Sequence, residues 1–142
     1  LLAGESPFEG TLLENITFNN PSISKEKVKW ALEKMKLSQY VDDLEKGLNS
    51  PVYPEGKQLP VSVAKKIMLA RSIVHEPKLL LLKDPLEYVS EKDCEAIIDF
   101  ITSHKNPWAV VVVSNNPYWA KRCNKTITMD KGELMSIKTH KK

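Results

Sequence analysis

Cysteine is nearly absent from this 142-residue chain: Cys94 and Cys123 are the only two. They stand far apart, with no Cys or His at metal-ligand spacing, so neither a disulfide framework nor a zinc site is expected, and a reducing, cytosolic setting fits. No run approaches the roughly 18 apolar residues that a membrane span needs. The opening leucines lack the basic and apolar regions of a signal peptide. Any membrane link is therefore expected only through a partner or a missing segment. Glycine is scarce as well, at five residues, and G-x-x-x-x-G-K-[S/T], the loop that cradles phosphates, occurs nowhere. Excess charge is small, +3 with pI ≈ 8.8, and Lys138, His140, Lys141 and Lys142 supply much of it. That reads as a solvated basic tail over 138–142, not a nucleic-acid footprint. There is no internal repeat and no low-complexity segment.

What is present, 42% hydrophobic and 27% charged residues, suits one soluble globular domain. Its organising stretch runs from Pro54 to Pro85. Val63, Ile67, Ala70, Ile73 and Val74 recur at helical spacing, with Pro60 in the first turn and Lys65, Lys66 and Arg71 assigned to the other face. Pro77 ends the helix, and Leu79 to Leu82 predict a central strand covered on both faces. A second apolar strand is predicted at Ala109 to Ser114. The helix between them carries Cys94, Ile97, Ile98 and Ile101 on one face, with Ser90 as its N-cap, so a βαβ unit with a parallel strand pair follows.

Upstream, Ser24 caps a helix with Val28, Ala31, Leu32 and Met35 on its apolar face, and Val41, Leu44 and Leu48 predict a second short one. Trp30 and Tyr40 are read as filling the small core between these helices, the other reading being a docking surface. Asn116 to Arg122 predicts a short helix in which Trp119 packs. Lys125 to Met129 and Glu133 to Ile137 alternate about Asp130-Lys131-Gly132, a hairpin with Gly132 free to take positive φ.

Leu69-Ala70-Arg71-Ser72-Ile73, then Pro77, then Leu79 to Leu82 resemble the second half of an ABC transporter ATPase domain. Gly10-Thr11-Leu12-Leu13-Glu14-Asn15-Ile16, preceded by Pro7-Phe8, is similar to the segment just after the Q-loop in the exporter branch. The resemblance implies an α/β fold: a partial P-loop NTPase (ABC ATPase-like) core with parallel strands, an α-helical subdomain and a C-terminal β-hairpin. The whole chain, 1–142, then corresponds to the C-terminal part of one such domain, beginning mid-domain. Residues 11–75 form the helical subdomain with its signature helix, and 76–137 are part of the α/β core.

Against that family, the chemical positions differ. Its LSGGQ signature falls on Leu59-Pro60-Val61-Ser62-Val63, where one backbone N–H is lost and β-branched bulk replaces glycine. The Walker B aspartate aligns with Lys83 and the catalytic glutamate with Asp84. Two like charges about 4 Å apart repel by roughly 4 kcal/mol at an effective dielectric of about 20, close to three orders of magnitude in affinity, so Lys83 opposes Mg²⁺. The D-loop aspartate falls at Ser90 and the switch histidine at Asn115, which donates a hydrogen bond but takes no proton at neutral pH. The Q-loop glutamine is expected near Leu1 to Glu5, and none is there.

The resemblance therefore implies a degenerate ABC-type domain at the cytoplasmic face of the membrane, without ATP hydrolysis of its own. It would support an exporter through a transmembrane partner and a second ATPase domain, as homo- or heterodimer. The family uses ATP and Mg²⁺; this stretch is expected to bind neither cofactor by itself, to hold no metal and to have no nucleic-acid partner. Two other readings stay open: an active ATPase with unusual residues, and a scaffold reused to bind protein or nucleic acid.

Overall fold

A computed structural model of the chain describes residue 1 and residues 5–140. Leu2, Ala3 and Gly4, where the Q-loop glutamine was sought, and Lys141 and Lys142 of the basic tail lie outside the described residues. The chain opens with β1 (Gly10–Thr11) and α1 (Leu12–Thr17), whose capping box pairs the Thr11 hydroxyl with Glu14 N–H and the Glu14 carboxylate with Thr11 N–H. This satisfies two N-terminal donors at once. α2 (Lys25–Lys34) starts on the expected Ser24 cap. α3 covers only Ser38–Asp42, so the second short helix ends before Leu44 and Leu48, which pack half-buried from the turns that follow. β2 (Pro51–Val52) pairs antiparallel with β1.

α4 (Val61–Val74) is the predicted central helix. Pro60 stands just outside it as N-cap, its carbonyl accepting from Val63 and Ala64 N–H. Two residues assigned to the polar face are instead buried, Lys66 and Arg71 at 9% exposure each. Both sit on the apolar stripe, Lys66 three after Val63 and Arg71 four after Ile67, and both have polar partners waiting there.

β3 (Leu79–Lys83) and β4 (Ala109–Val113) form the expected parallel pair, in register from Leu79 opposite Ala109 to Lys83 opposite Val113. α5 (Glu91–Ile101), capped by Ser90, connects them and buries Cys94, Ile97, Ile98 and Ile101. The pair is covered on one face only. Leu80 and Leu82 enter the core, whereas Leu79, Leu81, Val111 and Val113 are 48–63% exposed. The expectation of two covered faces is corrected: among the described residues no second layer packs on this side. Leu1 lies along β3, its amino group donating to the Leu81 carbonyl and its own carbonyl accepting from Lys83 N–H.

Trp30 packs into the core, its ring edge-on to Phe100 at 5.7 Å, and Phe100 meets Trp108 at 6.0 Å. Tyr40 is likewise half-buried against the core. α6 (Pro117–Arg122) follows with Trp119 buried. β5 (Lys125–Asp130) and β6 (Glu133–Thr139) make the hairpin about Lys131 and Gly132, both at positive φ as a two-residue hairpin loop requires. β6 continues through Lys138, which pairs with Thr126.

Candidate functional site

The carboxyl ends of β3 and β4 bring together Lys83, Asp84 and Asn115. Register sets Lys83 beside Val113, and Asp84 N–H donates to the Val113 carbonyl at 2.9 Å. Asp84 then takes φ +41, a left-handed turn that non-glycine residues seldom adopt and that sends the chain into buried Leu86. Ser114 Oγ accepts from Asn116 N–H at 3.2 Å, and Asn116 caps α6. Lys83 and Asn115 are exposed, and among the described residues no hydrogen bond or ion pair engages either side chain.

Ser90 is not part of this end in a chemical sense. Its hydroxyl accepts from Asp93 N–H at 3.4 Å and its carbonyl from Cys94 N–H at 2.8 Å, so it acts as the N-cap of α5. The stretch Leu59-Pro60-Val61-Ser62-Val63 forms the entry to α4. It borders a shallow cleft of about 280 Å³ lined by Glu5, Pro7, Gly56, Leu59, Val61 and Met68. Among the described residues, no hydrogen bond joins this stretch to Lys83, Asp84 or Asn115.

Two arrangements on α4, at Arg71 and Lys66, were missed by sequence reasoning. Arg71 donates through Nε to the Asn15 carbonyl at 2.6 Å and through Nη2 to Asn15 Oδ1 at 2.8 Å. Its guanidinium lies beside the stacked rings of Phe8 and Phe18, 5.1 and 4.7 Å from their centroids. Burial holds the Arg71 pKa below the usual guanidinium value, with the Glu5 charge opposing. Asn15 in turn clasps Phe8, accepting from its N–H and donating to its carbonyl. Lys66 reaches from α4 to Asp93 on α5 at 2.6 Å. The signal for both was their position on the apolar stripe of α4, not their charge.

A divalent metal does not suit the donor set at the strand ends. Mg²⁺ is held by oxygen ligands, one or two of them carboxylates; here the one carboxylate of the trio, Asp84, sits next to an ammonium. Among the described residues no group of three or more His, Cys, Asp or Glu is arranged to hold a metal.

No family model matches the chain. It is similar to an uncharacterized ABC transporter ATP-binding protein of Haemophilus influenzae, 28% identical over 134 residues, which is 94% of this chain and 24% of that protein. The glutathione/L-cysteine transport system ATP-binding/permease protein CydC of Escherichia coli K12 is 26% identical over 133 residues, covering 94% of this chain and 23% of that protein. The alpha-hemolysin translocation ATP-binding protein HlyB of Escherichia coli is 26% identical over 134 residues, 92% of this chain and 18% of its own length. In fold, the chain matches a bacterial Atm1-family ABC exporter solved with ATP bound, at TM-score 0.87 and 17% identity over 97% of this chain and 24% of that one. The chain thus spans about a quarter or less of the length of these relatives. Sequence similarity along nearly all of the chain and a shared fold agree: the chain resembles the ATP-binding proteins of ABC transporters and has the fold of the matching part of an ABC exporter.

Proposed function

We propose that this part of a nucleotide-binding domain serves an ATP-driven exporter as a structural and regulatory half that does not itself hydrolyse ATP. The observation that carries the reading is Lys83 at the end of β3, beside Asp84 and Val113, where an ammonium stands in place of a metal-binding carboxylate. Asn115 supports it, because an amide at the end of β4 cannot relay a proton. The altered entry to α4, Leu59 to Val63, supports it as well: Pro60 lacks an N–H and Val61 puts β-branched bulk where a phosphate would approach. In this reading residues 11–75 act as the helical subdomain and 76–137 as part of the α/β core. The partners are a transmembrane domain and a second ATPase domain at the cytoplasmic face of the membrane, and any ATP turnover occurs in the partner's site.

The test is a chimera in which this chain replaces the matching 134 residues of HlyB, with ATP binding and phosphate release measured beside the unaltered relative. The expected result is retained ATP binding with turnover lower by about three orders of magnitude, the factor that roughly 4 kcal/mol of charge repulsion implies. Lys83→Asp, Asp84→Glu and Asn115→His together should then restore turnover. A chimera that binds ATP and turns over within tenfold of the parent overturns the reading in favour of an active ATPase with unusual residues.

A further inference from the structure

α6 is six residues long, too short to hold a helical conformation by itself, so its place depends on what it touches. Its one buried side chain, Trp119, is 3% exposed, yet the indole Nε1 finds no hydrogen-bond partner among the described residues. That anchor is apolar and without direction, so it does not fix how the helix is turned about it. Direction comes from α5, which meets α6 at two points. At the first, Asn116 Nδ2 stands 4.0 Å from Cys94 Sγ. At the second, Asp99 receives Arg122 as a fork, Nε to Oδ1 at 2.6 Å and Nη2 to Oδ2 at 3.3 Å. Tyr118 closes the triangle: its hydroxyl accepts from Arg122 Nη2 at 2.8 Å and donates to Asp99 Oδ1 at 3.2 Å, and the guanidinium lies 5.1 Å from its ring centroid. An isolated surface pair contributes little, but fork geometry and a third partner are the exceptions.

The same short helix holds the turn at the end of β4. Asn116 Oδ1 accepts from Tyr118 N–H at 2.9 Å, while Asn116 N–H donates to Ser114 Oγ at 3.2 Å. Asn115 lies between Ser114 and Asn116, and its exposed side chain has no hydrogen-bond partner among the described residues, so its place is set by its neighbours. We infer that Asp99, Tyr118 and Arg122 are positioning residues for Asn115, clamping α6 against α5 so that the turn over 114–116 keeps one arrangement. They act on it through Asn116. The inference rests on the proposed role of position 115 and adds to it the residues that place that position.

The test has two arms. In the first, amide hydrogen exchange of the 142-residue chain is followed by NMR. Arg122→Ala should speed exchange at Asn116 and Tyr118 N–H about fivefold, the scale of one half-exposed charged contact, while the amides of α4 keep their rates. Tyr118→Phe keeps the ring and removes both hydroxyl bonds, so a smaller increase of about twofold is expected. Asp99→Arg alone should accelerate exchange as Arg122→Ala does, and Asp99→Arg combined with Arg122→Asp should bring the rates back to within about twofold of the wild type. In the second arm, Arg122→Ala is placed in the HlyB chimera that carries Lys83→Asp, Asp84→Glu and Asn115→His. There kcat should fall about fivefold with KM for ATP unchanged, and the exchanged charge pair should recover it. Unaltered exchange at Asn116 and Tyr118 in Arg122→Ala, equal acceleration in α4, no recovery by the exchanged pair, or a rise in KM with kcat unchanged each overturns the inference. Turnover by the chimera before any restoration would sink the proposed function and leave the exchange arm standing. If the triple substitution restores no turnover, the exchange arm decides alone.

Discussion

Arg71→Met removes the cation that joins α4 to α1 while keeping an unbranched side chain on the apolar stripe. Two effects compete. Burying a guanidinium without a hydrogen-bonded carboxylate is unfavourable, and replacing a buried charge by an apolar group is sometimes neutral. Against that, the substitution strips the Asn15 carbonyl of its Arg71 Nε donor and takes one of two donors from Asn15 Oδ1, which keeps Phe8 N–H. Leaving one buried acceptor unsatisfied costs about 1–3 kcal/mol. Losing cation–π contacts to Phe8 and Phe18 adds roughly 0.5–1 kcal/mol each. The acceptor side wins because Asn15 stays buried at 0% exposure and has no water to turn to, and a net loss of about 2–4 kcal/mol is expected. Urea unfolding followed by tryptophan fluorescence should show the midpoint fall by about 1–2 M at an m-value of about 2 kcal/mol/M. Arg71→Lys, which keeps the charge but not the forked geometry, should lose about half as much. Arg71→Met within about 0.5 kcal/mol of the wild type would refute the reasoning and mean that the desolvation cost of the guanidinium cancels its bonds.

Lys66→Met should cost about 1–2 kcal/mol, because the Lys66–Asp93 pair is 2.6 Å long with side chains only 11% and 30% exposed; a double-mutant cycle with Asp93→Asn checks it through a coupling energy distinct from zero. Gly56→Ala should lower the melting temperature by several degrees, since φ is +64 and the new Cβ would stand 3.1–3.3 Å from three carbons of Pro7, a strain of about 1–2 kcal/mol or more. Burial pushes the Cys94 thiol and the Tyr40 phenol above their ordinary values. Above the unfolded values, about 8.5 for a thiol and about 10 for a phenol, the unfolded chain has released protons that the folded chain retains, so stability falls as pH rises. Unfolding curves from pH 8 to 11 should show that decline, and Cys94→Ala should remove the thiol's part of it.

The elements that carry their own period were legible: α4, α5, β3, β4 and the hairpin follow from apolar spacing and from Pro77 and Gly132, and Ser24 and Ser90 cap as read. β1 and β2 were missed because two-residue strands have no period. The bare face of β3 and β4 was missed for a different reason: a run of leucines and valines states that a strand can be buried, not how many layers reach it. In the site, Lys83, Asp84 and Asn115 came together because parallel register follows from a βαβ unit. The Arg71–Asn15 clasp stayed hidden because its partners lie 56 positions apart, and charge argued for solvent where helical position argued for the core.

The hairpin bears on how the molecule opens. Ile127, Met129, Leu134 and Ile137 remain 55–63% exposed, and no residue of β5 or β6 is among the buried core. Fraying this ribbon uncovers no core side chain, so its ladder has its own local equilibrium, while the amides of α4 and α5 can exchange only with the collapse of the whole interior. Deuterium uptake by this chain therefore has two tiers, and a mutation such as Arg71→Met should accelerate the slow tier while leaving the fast one where it was.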